Sequence, residues 1–150
     1  MRRILLYIAL LAAALVIPVE RTDLGKLKPV ETVYLYTDEG ILTLLTDTGD
    51  KGTGKTVGQA LENLKQTTAG TVYLDTAEYL LITEESKFEA QELKKLLKGS
   101  VRICEAEGEI PLEEVGAYLS VHLPEMRLSH WKPEHKLQIL KVNQDRFTLE

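Results

Sequence analysis

The residues with the clearest chemical promise are Gly49-Asp50-Lys51-Gly52-Thr53-Gly54-Lys55-Thr56. They satisfy the phosphate-loop pattern G-x-x-x-x-G-K-[ST] in full. In that reading the loop amides and the glycines Gly49 and Gly54 cradle phosphates. Lys55 then reaches the β/γ-phosphates and Thr56 holds Mg²⁺. Val72-Tyr73-Leu74-Asp75 resembles the strand that delivers a magnesium-binding Asp. The competing reading is a Gly-rich turn entering a capped helix, with Thr56 as N-cap and Gln59 completing a capping box. Two features favour the turn. The preceding segment, Ile41–Thr46, carries Thr43 and Thr46 and belongs to a hairpin, whereas a phosphate-loop strand is central, parallel and continuously apolar. The domain is also small for a phosphate-loop fold.

The remaining reactive residue types are sparse. His122, His130 and His135 stand in no H-x-x-x-H or H-E-x-x-H arrangement. Glu105, Glu107, Glu109, Glu113 and Glu114 form an acidic cluster without the loop pattern of a calcium site. A solvated face is the first reading of that cluster, and docking to a basic partner the second. Cys104 is the single cysteine, which excludes an internal disulfide or a multi-cysteine zinc site. Trp131 and the tyrosines Tyr34, Tyr36, Tyr73 and Tyr118 supply either core and cross-strand pairs or a recognition surface. No G-x-S-x-G or Cys–His nucleophile pattern occurs. The expectation is a chain that is not an enzyme, with no catalytic residue, cofactor or metal. A small nucleotide-binding protein using Gly49, Gly54, Lys55 and Thr56 is the alternative.

The elements that must position these residues follow from periodicity. Glu31–Thr37 and Ile41–Thr46 alternate as strands around an Asp38-Glu39-Gly40 turn, a hairpin. Val57, Ala60, Leu61 and Leu64 make one apolar helical stripe that ends near Thr67–Gly70. Thr71–Leu74 and Tyr79–Thr83 read as strands. Ser86, with Glu89 three residues on, opens a second helix whose buried face is Phe88, Leu93, Leu96 and Leu97, stopped by Gly99. Val101–Ala106 is a strand and Pro111 starts a third helix carrying Leu112, Val115 and Leu119. Met126–Trp131, Leu137–Val142 and Arg146–Leu149 read as short strands. The expected fold class is α/β (α+β), a mixed sheet with about three helices packed on it, preceded by an N-terminal hydrophobic helix.

The N-terminus has a separate character. Met1-Arg2-Arg3 precedes an uncharged run from Ile4 to Ile17, the layout of a signal peptide or signal anchor. As a helix, residues 4–19 would span roughly 24 Å, short of a hydrocarbon core of about 30 Å but tolerable with local thinning. Ala12-Ala13-Ala14 offers a cleavage site, yet Leu15, Val16 and Ile17 continue the run, so retention as an anchor is preferred over secretion. The expected organisation is residues 1–20 as anchor or signal, 21–29 as linker and 30–150 as one extracytoplasmic domain. The chain has 150 residues, with 18 Lys and Arg against 23 Asp and Glu, a net charge of −5. That balance disfavours nucleic acid, which requires a basic surface.

A resemblance adds to this reading. Gly52-Thr53-Gly54-Lys55-Thr56-Val57-Gly58-Gln59-Ala60-Leu61-Glu62-Asn63-Leu64, then Leu80-Leu81-Ile82-Thr83-Glu84-Glu85, then Ala106-Glu107-Gly108 follow a recognisable order. The stretch resembles the N-terminal domain of the Ger(x)C family, the C-subunit lipoproteins of spore germinant receptors in endospore-forming Firmicutes. The resemblance implies an extracytoplasmic, non-catalytic domain at a membrane, working with integral membrane receptor subunits in sporulation or germination. It also implies that Gly52–Thr56 is a helix-entry turn. The family's lipidation cysteine is missing, which makes the expected protein a shortened, non-lipidated relative.

Overall fold

The computed structural model describes residues 26–143 and 146–150. The expected hydrophobic helix and its anchor residues 4–19 lie outside the described residues. Among the described residues, no helix is long and apolar enough to cross a membrane.

The chain folds as mixed α/β. Its strands are β1 (Leu27–Pro29), β2 (Thr32–Asp38), β3 (Ile41–Thr46), β4 (Lys51–Gly54), β5 (Thr71–Tyr73), β6 (Tyr79–Ile82), β7 (Arg102–Glu107), β8 (Ile139–Asn143) and β9 (Arg146–Leu149). The described α-helices are α1 (Val57–Thr67) and α2 (Leu112–Val121). A seven-stranded sheet runs in the order β4-β3-β2-β6-β7-β8-β9, and β1 pairs with β5 in a separate parallel pair. Within the large sheet β2, β6, β7 and β8 are parallel, while β3, β4 and β9 extend the two edges by antiparallel pairing.

The β2–β3 hairpin forms as alternation predicts, with Asp38 opposite Ile41. Its two linking residues, Glu39 and Gly40, both have positive φ (48° and 78°). That is the primed turn whose twist matches paired strands. β6 is Tyr-Leu-Leu-Ile with all four side chains buried, as a central parallel strand covered on both faces requires.

Alternation sorts the core into two layers. On the first face Val33, Leu35, Leu44, Leu80, Ile82 and Ile103 meet α1 through Val57, Ala60 and Leu64. Leu128, Trp131 and Leu137 complete that layer. On the second face Tyr34, Tyr79, Leu81, Cys104, Ala106 and Leu140 meet Ile110 and the α2 residues Leu112, Val115 and Leu119.

Four expectations change. First, Lys51–Gly54 is a strand where a Gly-rich loop is expected, because its glycines let α1 lie directly on it. Second, Leu27–Pro29, at the end of the expected linker, is a strand paired with Thr71–Tyr73. Third, the helix expected from Ser86 is 3₁₀ in two pieces, Glu84–Ser86 and Glu89–Lys95. Lys87, Ala90 and Leu93 are buried at intervals of three, which is the 3₁₀ repeat. Ser86 does not open the helix; its hydroxyl donates to the Leu35 carbonyl at 2.8 Å. Phe88 and Leu96, expected in the buried face, are 77% and 39% exposed. Fourth, Met126–Trp131 makes only an isolated bridge, Arg102 to Arg127, because the segment crosses the first face to insert Leu128 and Trp131.

Candidate functional site

The Gly49–Thr56 segment is built by packing. A Cβ placed on Gly52 would stand 2.1 Å from the Ala60 carbonyl oxygen, and one on Gly54 would stand 2.6 Å from the Ala60 nitrogen. Both glycines are therefore required by the approach of α1. The Thr53 amide donates to Asn63 Oδ1 at 3.0 Å and the Lys55 amide to Gln59 Oε1 at 2.9 Å. Thr56 Oγ1 accepts from the Gln59 amide at 3.2 Å, the N-cap bond expected of it. Gln59 reaches Lys55, one residue ahead of the reciprocal capping-box position. Gly49 sits at φ 81° in the turn before β4, where Asp50 closes the loop. Lys28 and Thr48 hydrogen-bond the Asp50 carboxylate at 3.1 and 2.8 Å. Burial raises its pKa, but the Thr48 and Lys28 bonds outweigh that, so it lies below the ordinary carboxylate value.

Asp75, the other half of the nucleotide reading, is remote from Lys55 and Thr56. It lies in a 3₁₀ turn after β5, and Thr76 Oγ1 in the same turn bonds Val30, two residues before β2. Gly54 pairs with Leu42 at the hairpin end of β3. The eleven residues of α1 separate the two by roughly 16 Å of helix.

The acidic cluster divides between the faces of the sheet. Glu105 is ion-paired to the buried Lys87 at 3.0 Å, and Glu84 closes on the same ammonium. Burial lowers the Lys87 pKa, but the bonds to Glu84 and Glu105 prevail and raise it. Glu107 approaches Lys141 at 3.9 Å on that same face. Glu109, Glu113 and Glu114 lie on the second face, exposed, on the strap into α2 and its first turn.

The histidines do not converge. His122 stacks on Tyr118 at 4.4 Å, His130 is exposed in a turn, and His135 is half-buried. Among the described residues, no group of three or more His, Cys, Asp or Glu could hold a metal. Cys104 is fully buried, and burial pushes its thiol up to about 12.

Trp131 belongs to the core of the first face, so it cannot join the tyrosines in one recognition surface. Tyr34 and Tyr36 are on the second face, with ring centroids 5.0 Å apart and planes tilted by 35°. They line a cleft of about 330 Å³ with Leu45, Gly108, Glu109 and Ile110. Burial, then Tyr36, raises the Tyr34 phenol pKa. A second cleft of about 220 Å³ lies across the Ile110-Pro111 strap and shares Leu45 as a wall. A third, of about 340 Å³, opens at the starting ends of β6 and β7. There Asp75, Glu78, Lys98 and Arg102 mix both signs of charge, and Arg102 already donates to the Pro124 and Glu125 carbonyls at 3.0 Å each. The Tyr34–Tyr36 cleft is visible in sequence only as alternating aromatics; nothing there indicates that the Gly108–Ile110 strap forms its other wall.

Compared with known proteins, the chain matches no family model, no curated protein and no solved structure.

Proposed function

We propose that this protein is a non-enzymatic interaction domain, held on the extracytoplasmic side of a cell membrane by residues 4–19. Its role resembles that of the germinant-receptor C-subunit N-terminal domain, contacting integral membrane subunits in sporulation or germination. The observation that carries this reading is β4. In the one motif with enzymatic promise, the space over Gly52 and Gly54 of this edge strand is filled by α1, and the Thr53 and Lys55 amides are bonded to side chains. A phosphate cradle needs those amides free and converging on an anion.

Calorimetric titration of the detergent-solubilised full chain with Mg-ATP, repeated on Lys55→Ala, tests the chemistry. No heat is expected from either protein; Lys55-dependent micromolar binding overturns the proposal in favour of a nucleotide-binding protein. Location is tested by fractionating cells and exposing protoplasts to protease. The domain is expected in the membrane fraction and degraded from outside, and recovery as a protease-protected cytosolic protein refutes the reading.

A further inference from the structure

The two faces of the sheet are covered unequally. Seven strands span about 29 Å across at roughly 4.8 Å per strand. Among the described residues, the second face is covered by the ten residues of α2, about 15 Å of helix, and by the Gly108–Pro111 strap. On the β2–β3 side of that helix the aromatic cleft and its neighbour stay open, joined at Leu45.

The chemistry of this double cleft is one-sided. The floor of the larger part is two tyrosine rings with Leu45 and Ile110, and Glu109 stands at its edge. The smaller part carries Asp47, Glu113 and Glu114. Neither lining contains a Lys, Arg or His. Asp47 is engaged, accepting the Glu31 amide at 3.2 Å on each oxygen. Glu113 and Glu114 partly offset the positive end of α2. Among the described residues, Glu109 has no hydrogen-bond or ion-pair partner. Among the described strand residues, Lys51 places a cation on this face: it pairs with Leu45 across the β3–β4 ladder and alternates away from Gly52.

We propose that this cleft is a docking site for a basic segment of a protein partner. A Lys or Arg side chain enters over Tyr34 and Tyr36, its stem along Leu45 and Ile110 and its charge toward Glu109. A second basic residue lies across the Ile110-Pro111 strap toward Glu113 and Glu114. Aromatic faces attract a cation most strongly where water is partly excluded, and an alkyl stem covers apolar wall while its head keeps charged contacts. The volume of about 330 Å³ is at the small end for ligand pockets, which suits a side chain better than a nucleotide-sized cofactor. The inference rests on the interaction-domain reading for the class of partner and is independent of membrane attachment.

The test uses the full chain in an uncharged detergent and fluorescein-labelled ten-residue peptides read by polarisation. One probe carries two Arg and two Lys; its twin carries citrulline and acetyl-lysine. The basic probe is expected to bind at least about tenfold more tightly than its neutral twin, a gap of the size a partly desolvated cation–π contact gives. Tyr36→Ala removes about tenfold and Tyr36→Phe retains affinity, because the ring and not the hydroxyl is used. Glu109→Gln, at an exposed position that leaves folding intact, weakens binding by about threefold. Lys51→Glu strengthens it by a similar factor, and added salt weakens it. Equal binding of both probes, no binding of the basic probe, or indifference to both Tyr36→Ala and Glu109→Gln overturns the proposal. Free arginine binding as tightly as the peptide overturns the commitment to a protein partner. None of these outcomes bears on membrane location or on Mg-ATP, so failure of this site is distinguishable from failure of the broader reading.

Discussion

Replacing Gly52 by Ala tests whether the glycine-rich segment exists for packing or for phosphate. In the phosphate-loop pattern Gly52 occupies a variable position, so a cradle tolerates alanine there. In the structure its Cβ would lie 2.1 Å from the Ala60 carbonyl oxygen, 2.6 Å from Leu64 Cβ and 2.7 Å from the Leu64 amide nitrogen. Two of these three are backbone atoms, so no side-chain rotation relieves the clash. A methyl group needs roughly 3.3 Å from an oxygen, so α1 must retreat by about 1 Å, a gap that forfeits a quarter to a half of the dispersion well. The helix buries Val57, Ala60 and Leu64, of which the two larger side chains are worth roughly 2–3 kcal/mol each. The expected loss is about 2–3 kcal/mol, within the usual range for overpacking, or roughly 6–15 °C in Tm. Gly58→Ala is the internal control. It lies on the exposed side of the same helix with only Thr56 Oγ1, at 3.8 Å, near the added methyl, and should stabilise by about 0.5–1 kcal/mol. Thermal unfolding of the full chain in detergent, followed by circular dichroism, reads both. If Gly52→Ala unfolds within about 1 °C of the parent, the packing account of this segment is wrong.

Two further predictions concern titration and reactivity. The Glu31 carboxyl is raised above its ordinary 4.5 by burial, then by Glu78 and Asp47. Its contribution to stability is therefore present below 4.5 and lost as pH rises through the raised value. Glu31→Gln should raise Tm at pH 7 relative to pH 4 compared with the parent; an unchanged difference between the two pH values counts against this. Cys104, buried with its thiol pushed up to about 12, should resist an aromatic disulfide reagent at pH 8 in the native state and react fully in denaturant. Native-state modification within minutes would contradict its placement in the core.

Much of the frame is legible from local pattern. The Val33/Leu35 against Tyr34/Tyr36 alternation assigns β2 to a two-sided interior, and Glu39-Gly40 marks the turn. The Val57–Leu64 stripe behind Thr56 marks α1. What sequence hides is set by tertiary approach. Lys-Gly-Thr-Gly has little intrinsic preference for a strand, and β4 exists because α1 lies against it. The segment after Thr83 has apolar residues at spacings that suit either helix type. Only burial of Lys87, Ala90 and Leu93, with Phe88 turned outward, shows the three-residue repeat. The acidic run from Glu105 to Glu114 reads as one cluster along the chain, but the strand end after Glu107 sends its halves to opposite faces of the sheet.

The likeness of Gly49–Thr56 to a phosphate loop has a physical origin in this fold. A strand turning directly into a helix that folds back against it must satisfy several steric and capping demands at once. It needs glycine wherever helix backbone meets strand backbone, which here falls at Gly52 and Gly54. It needs a hydroxyl at the N-cap, supplied by Thr56. It needs a polar residue in the exposed position between the last glycine and the cap, where Lys55 stands in solvent. A nucleotide-binding loop meets an overlapping set of demands for a different reason, because its backbone must approach a phosphate at the same kind of helix entrance. The pattern alone therefore does not separate the two. The occupant of the space above the glycines does, and in this chain that occupant is the first two turns of α1.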